Sequence, residues 1–286
     1  MRPASFEYFR ASNLNEALEL LDKYGNEAKI LAGGQSLLPL LKMRILSPKY
    51  VIDVTRIPEL HYIRENKKTI AIGALTTHYE VSSSSVIRDK YPILSKAAGY
   101  IGDLQVRNRG TMGGNVCHAD PASHYLPALI ALEADFIVRS KDGERIIKAK
   151  EFFKDMFTTA MKPNELLVEV RVPKLDGFRY GYESIQRRSG DLALVISSII
   201  IKIEGGTCKS AKIVIGATSP VPIELKAAEE LLIGKELNKG IIEKVASKVY
   251  EELPEPISDI KASSEYRREV ARVLTVKALS SCMRGG

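Results

Sequence analysis

Apolar residues recur at helical spacing between Leu14 and Tyr24, where Leu14, Ala17, Leu18, Leu21 and Tyr24 share one face. Asn13 with Glu16 three positions on makes a capping-box-like start, and Gly25 supplies a stop, so the pattern predicts a helix there. Ala28 to Ala32 and Tyr50 to Val54 are short continuous apolar runs, the signature of buried strands, and the first runs straight into Gly33-Gly34. Ser36 is placed to cap a short helix through Lys42, with Pro39 tolerated in its first turn. Residues 1–56 thus read as an α/β unit whose glycine pair sits at a strand-to-helix turn, where backbone N–H groups can face a ligand.

From residue 57 to 175 the pattern changes to short strands, at Leu60 to Arg64, Thr69 to Gly73, Asp135 to Arg139 and Glu165 to Val172. Helical stretches at Ile93 to Tyr100 and Ala122 to Leu132 interrupt them. Asn66-Lys67-Lys68 and Lys141-Asp142-Gly143 are hairpin turn signals. A polar stretch, Lys174 to Gly177, marks a boundary, and residues 178–286 give strands Phe178 to Gln186, Ala193 to Glu204 and Thr207 to Gly216, then three helices, the last from Ser264 to Cys282. The expected fold is α+β: a two-lobed domain over 1–175, with an α/β lobe at 1–56 and an antiparallel-sheet lobe at 57–175, then a small α+β domain over 178–286.

Composition narrows the function classes. With 45% hydrophobic and 27% charged residues the chain can bury a real core. Its longest apolar run, Leu192 to Ile201, is about half the ~20 residues of a membrane-spanning helix and contains two serines, so no span is expected. The start, MRPASFEYFR, has no apolar signal segment, and a cytoplasmic location is the expectation. The 42 basic and 35 acidic residues leave a net charge of +7, yet basic pairs such as Arg187-Arg188 and Arg267-Arg268 are scattered without interleaved aromatics, which argues against nucleic acid. Cys117, Cys208 and Cys282 form no CxxC pair, so this chain supports neither a disulfide framework nor its own zinc or iron–sulfur site.

Candidate chemistry concentrates in two double-glycine segments, Ala32-Gly33-Gly34-Gln35-Ser36 and Thr111-Met112-Gly113-Gly114-Asn115. Successive glycines permit positive φ and close backbone approach, so such segments can form anion-binding nests, and two facing each other could clamp the phosphates of a dinucleotide. Each also reads as an ordinary turn when taken alone. Neither GxGxxG after the first strand nor GK[ST] is present, which argues against a Rossmann hydride enzyme and a P-loop NTPase. The flanks of the second segment, Gln105 to Gly110 and Val116 to Pro121, form a polar run that reads as a binding loop. Arg107 and Arg109 either meet phosphates or anchor that loop. Cys117, His118, Asp120 and His124 are all ligand types, but their spacing matches no closed metal site, and no metal is expected.

The strings ILAGGQSLLPLLKMR (Ile30 to Arg44) and QVRNRGTMGGNVCHADPA (Gln105 to Ala122) closely resemble the FAD-binding medium subunit of molybdenum hydroxylases, the family of carbon monoxide dehydrogenase, aldehyde and glyceraldehyde oxidoreductases and the xanthine dehydrogenase flavin domain. Arg187-Arg188-Ser189-Gly190-Asp191-Leu192-Ala193 resembles the family's RRxGD-aromatic-A segment, and SSEYRREVARVLTVKAL its last helix. The resemblance implies FAD, with its pyrophosphate on Ala32, Gly33, Gly34, Gln35 and Ser36 and on Thr111, Met112, Gly113, Gly114 and Asn115. It adds Ile101, Gly110 and Leu167 as packing contacts, and Asp120 and His124 as polar groups near the cofactor. No residue is expected to be catalytic, because the flavin performs the redox step.

The same resemblance implies an electron-transfer subunit of a heterotrimer or its dimer. A large partner would hold the molybdenum cofactor, molybdopterin, and a small partner the [2Fe–2S] clusters. Three positions depart from the family pattern: His124 stands where a second acid is usual, Leu192 replaces an aromatic, and Glu183 to Gln186 lack a lysine. The alternative is a self-sufficient FAD-dependent reductase of the wall-precursor type, which would need a proton donor over the flavin.

Overall fold

The computed structural model describes residues 2–283, so the outer limits of the expected domains, 1 and 286, lie outside the described residues. The chain forms two compact units. The first holds the chain up to Val81, Leu104–Ala119 and Ala134–Pro173; the second holds Ser82–Asp103, Asp120–Glu133 and the chain from Lys174 on.

In the first unit, Glu7–Arg10, Tyr50–Asp53 and Ala28–Leu31 make a three-stranded parallel sheet with Tyr50–Asp53 in the middle. The helix Leu14–Tyr24 begins as its sequence indicates: Asn13 Oδ1 accepts from the Glu16 amide, and the Glu16 carboxylate accepts from the Ser12 amide at 2.7 Å. Its buried face, Leu14, Ala17, Leu18 and Leu21, packs with Ile52, Val54 and Ile57 in one apolar cluster. A five-stranded antiparallel sheet follows, in the order Ile63–Glu65, Thr69–Gly73, Leu166–Pro173, Asp135–Ser140, Gly143–Lys148. Asn66 makes the first hairpin turn, its Oδ1 accepting from the Lys68 and Thr69 amides. The strand expected from Leu60 starts only at Ile63, because Pro58 opens a tight 3₁₀ turn over Pro58–Leu60.

In the second unit a four-stranded antiparallel sheet runs Phe178–Ile185, Val195–Glu204, Thr207–Gly216, Ile223–Glu224. The helices Lys239–Glu252 and Ser264–Met283 cover it through Ile242, Val245, Val249, Leu274 and Ala278. The helices Pro92–Gly99 and Tyr125–Ala131 group with this sheet and not with the five-stranded one, so packing follows a different partition from the linear split at 174–177. Composition explains this for Tyr125–Ala131, which is apolar on all sides and buried at all seven positions. Pro127 of that helix packs on Gly216, where a Cβ would stand 2.8 Å from its Cγ. Among the described residues no helix is long and apolar enough to cross a membrane.

Candidate functional site: two glycine segments

The strand Ala28–Leu31 ends at Ala32, and Gly33-Gly34 turns the chain into the helix Leu37–Lys42. Gly34 has φ +73°, a conformation that glycine adopts without strain. Among the described residues, the amides of Gly33, Gly34, Gln35 and Ser36 meet no protein acceptor. Gln35 is exposed, and its amide nitrogen donates to Gly33 O at 3.3 Å. Ser36 occupies the N-cap position with helical backbone angles, and its hydroxyl makes no cap bond, contrary to the sequence expectation. A cap hydroxyl reaches back to the helix amides from an extended residue, and Ser36 is not extended. The segment therefore presents four successive unpartnered amides and a hydroxyl at the start of a helix, a donor set suited to an anion.

The second glycine segment is built differently. Leu104–Arg109 and Met112–His118 are short helices, so the run expected as a loop is almost wholly helical, with Gly113 and Gly114 inside the second helix. Thr111 is the N-cap, and its hydroxyl accepts from the Gly114 amide at 3.1 Å. The Met112 amide donates to Thr76 O and the Gly113 amide to Ala74 O, both at 2.9 Å. The first three amides of this helix are thus consumed by the protein, which corrects the expectation of a second nest. Its glycines serve close packing instead. A Cβ on Gly113 would lie 2.6 Å from Ala74 Cβ, and one on Gly110 would lie 2.7 Å from the His78 ring. Met112 and Gly113 are buried, Asn115 is half-buried, and Gly114 is exposed.

The two segments meet. A Cβ on Gly33 would overlap the Arg109 carbonyl and stand 2.7 Å from Gly110 Cα, while the Cβ position of Gly114 is 3.8 Å from Ala32 Cβ. The Arg109 main chain, which the sequence reading weighed only for its side chain, therefore forms the seat of the first segment. Its signal was the Gly110 that follows it. His78, buried beside Gly110, is held neutral, its pKa pushed down to about 3 by burial and then by the nearby Arg107. Cys117 is a free thiol whose Sγ lies 3.6 Å from Met161 Sδ, and burial pushes its pKa up to about 12, which leaves it unreactive.

Leu167 is 2% exposed within its strand. In the second unit, Ile101 is half-buried. Asp120 is half-buried too, with one carboxylate oxygen accepting from the Ala122 amide at 2.9 Å. His124 is 3% exposed, and its ring nitrogens lie 2.7 Å from Tyr182 Oη and 2.9 Å from Gln186 Nε2. Both nitrogens are engaged, so the hydrogen bond to a cofactor hydroxyl that the sequence suggested is not open to it. The ring also stacks on Tyr100 at 5.4 Å.

Residues 4–175 match the family described as FAD binding domain in molybdopterin dehydrogenase, and residues 180–282 match the CO dehydrogenase flavoprotein C-terminal domain. The chain is 42% identical to the glyceraldehyde dehydrogenase medium chain of Sulfolobus acidocaldarius over 278 residues, covering 97% of this chain and 98% of that one. It is 35% identical to the carbon monoxide dehydrogenase medium chain of Hydrogenophaga pseudoflava over 98% of each. It superposes on a chain of the solved carbon monoxide dehydrogenase of that organism, in a form lacking the Mo-pyranopterin moiety, with a TM-score of 0.95, 36% identity and 99% coverage of both chains.

Proposed function

This chain belongs to the FAD-binding flavoprotein family of molybdopterin dehydrogenases, and we propose that it is the electron-transfer subunit of a molybdenum-dependent dehydrogenase complex. On this reading a large partner oxidises the substrate at a molybdenum cofactor, a small partner carries [2Fe–2S] clusters, and this chain collects the electrons for an external acceptor. FAD, when bound, supplies the two-electron redox step between single-electron clusters and that acceptor. The assembly is a heterotrimer or a dimer of heterotrimers, in the cytoplasm. The self-sufficient reductase alternative is not favoured, since the relatives that match along the whole chain are subunits of dehydrogenases.

The observation that carries the residue-level reading is the row of unpartnered amides from Gly33 to Ser36, seated on the Arg109–Gly110 main chain. These amides and the Ser36 hydroxyl would hold the FAD pyrophosphate, with Ala32 and Gly114 beside them. Thr111, Met112 and Gly113 act by fixing that seat, and Asn115 lies one residue beyond the exposed Gly114. Ile101 and Asp120 are proposed as further FAD contacts on the strength of the family resemblance. No side chain of this chain transfers a proton in the scheme.

The test is a visible absorption spectrum of the natively purified protein, with its co-purifying chains resolved on a gel. Flavin bands together with one large and one small partner, the small one contributing iron–sulfur absorbance, are expected. A colourless lone chain that cannot be reconstituted with FAD would overturn the reading.

A further inference from the structure

Residues 74–78 run alongside residues 110–113 within the first unit and are bonded to them along the main chain. The His78 amide donates to Gly110 O at 3.0 Å, the Met112 amide to Thr76 O and the Gly113 amide to Ala74 O, both at 2.9 Å, and Thr77 pairs with Thr111 in a bridge. This ladder carries the His78 side chain to Gly110. A Cβ on Gly110 would stand 2.7 Å from His78 Nε2 and 2.8 Å from its Cδ2, so the imidazole fills the space that a side chain of Gly110 would need.

Both partners are shut away from solvent: His78 is 3% exposed, and Gly110 is buried. Gly110 keeps its φ outside the left-handed region, so its backbone does not require glycine; the ring does, together with Val106 O at 3.1 Å from the same Cβ position. Burial, and then the nearby Arg107, hold the imidazole neutral, which makes it a flat prop and not a charge offered to phosphates. The Cβ position of Gly33, in turn, is 2.7 Å from Gly110 Cα. Gly110 therefore stands in contact both with the ring and with the segment whose amides, Gly33 to Ser36, meet no protein acceptor among the described residues.

We propose that His78 is a positioning residue for the FAD pyrophosphate: its ring fixes Gly110, Gly110 seats Gly33, and the four amides that follow are thereby held aimed at one anion. The inference rests on the reading of those amides as the pyrophosphate site. Hydrogen bonds to an anion weaken steeply as donors tilt away, so a nest whose seat shifts loses affinity before it loses its fold. Without the imidazole a hollow opens beside Gly110, and the Arg109–Gly110 main chain can settle into it and away from Gly33. The same geometry predicts a compensation. A methyl group on Gly110 is excluded by the ring, so removing the ring makes room for it, and the pair His78→Ala with Gly110→Ala refills part of the space from the other side.

The experiment titrates the full chain with FAD, following flavin fluorescence, and records phosphorus NMR of the bound pyrophosphate. His78→Ala and Gly110→Ala should each weaken FAD binding by roughly tenfold, the loss of about one charge-assisted hydrogen bond, and the double variant should bind more tightly than either. The phosphorus resonances should move in both single variants and return toward the wild-type positions in the double one. Val138→Ala, which removes buried apolar bulk from the five-stranded sheet, is the control: it should lower the melting temperature and leave both FAD affinity and the phosphorus resonances unchanged. Wild-type affinity in His78→Ala, a double variant no better than the single ones, or equal shifts in Val138→Ala would overturn the proposal. Where a single variant does not fold, a folded double variant that binds FAD supports the proposal, and a double variant that also fails overturns it. If the wild-type chain takes up no FAD, inorganic pyrophosphate replaces it, read by the rise in melting temperature. A rise that is lost in His78→Ala and regained in the double variant supports the role of His78 while the flavin reading fails; no rise in the wild type overturns both.

Discussion

Gly33 lies against the main chain of Arg109, with no room between them for a side chain: a Cβ on Gly33 would overlap the Arg109 carbonyl oxygen. The contact joins residues 76 positions apart and makes the seat of the anion segment depend on where the helix Leu104–Arg109 ends.

Gly33→Ala should therefore push two stretches of backbone apart, and backbone yields far less easily than the end of a flexible side chain. A loss of about 1–3 kcal/mol is expected, in the range of overpacked sites, with a lower flavin content after purification. Gly99→Ala is the control. Its Cβ would meet nothing within 4 Å, and in a helical residue the change should be neutral or stabilising by up to about 1 kcal/mol. Melting temperatures and flavin absorbance of the two variants check this; equal behaviour would remove the Gly33–Arg109 contact from the account.

Thr111 fixes the start of the second segment by accepting from the Gly114 amide with its hydroxyl, and the Cβ position of Gly114 lies 3.8 Å from Ala32 Cβ of the first. Thr111→Ala should cost about 1 kcal/mol, as the loss of a helix N-cap does, and Thr111→Ser should recover most of it. Denaturant midpoints of the three proteins are the measurement. Because Gly114 is the exposed residue of this segment, the alanine variant should also lose FAD more readily on dialysis.

How much of this was legible in the sequence differs between the two segments. At Gly33-Gly34 a strand, two glycines and a short leucine-rich run follow one another locally, so the strand-to-helix turn could be read directly. At Gly113-Gly114 the glycines argued for a loop because glycine is a poor helix former, yet Ala74, Thr76 and the Thr111 cap satisfy the helix start through contacts with residues about 40 positions away. The hairpins at Asn66 and Asp142-Gly143 and the last helix were legible because their determinants are local. The grouping of Tyr125–Ala131 with the C-terminal sheet was not, since an all-apolar helix declares that it is buried but not against what. His124 looked like a cofactor ligand in the sequence, and only packing shows both of its nitrogens engaged.

Ala119 ends the helix Met112–His118 in the left-handed region, φ +51°, where a Cβ is disfavoured. Its amide donates to Asn115 O, so the conformation belongs to the helix stop. Ala119→Gly should stabilise the chain by about 0.5–1 kcal/mol, the relief of the strained backbone exceeding the extra freedom of glycine in the unfolded chain. A higher denaturant midpoint with unchanged flavin content is expected; a lower midpoint would mean that the methyl group, 1% exposed, contributes more packing than the strain removes.

The buried histidines set the behaviour toward acid. Gln186 Nε2 lies beside the carbonyl oxygens of Tyr100 at 3.3 Å and Asp191 at 2.8 Å, which identifies it as the amide nitrogen; its two hydrogens go to the nearer partners, Asp191 O and His124 Nε2 at 2.9 Å, so that His124 Nε2 is an acceptor. The ring proton then sits on Nδ1 and goes to Tyr182 Oη, whose own proton goes to His124 O at 3.3 Å. Every atom of this arrangement requires a neutral ring, and burial pushes the His124 pKa down to about 4. With an unfolded value near 6.5, the unfolded chain binds more protons than the folded one between about pH 6.5 and 4, so stability is complete above that window and falls as the pH drops through it. The slope is about 1.4 kcal/mol per pH unit for each such histidine, and His78, lowered to about 3, acts in the same direction. Carboxylates held below their usual range, such as Asp53 and Glu165, add to the loss only nearer pH 4. Urea midpoints of the wild-type chain should therefore fall markedly between pH 7 and pH 5. His124→Gln should start lower at pH 7, because the Tyr182 contact is broken, but fall by only about half as much over the same interval, leaving the His78 share. A variant that keeps the full wild-type fall would show that His124 is not the group being protonated.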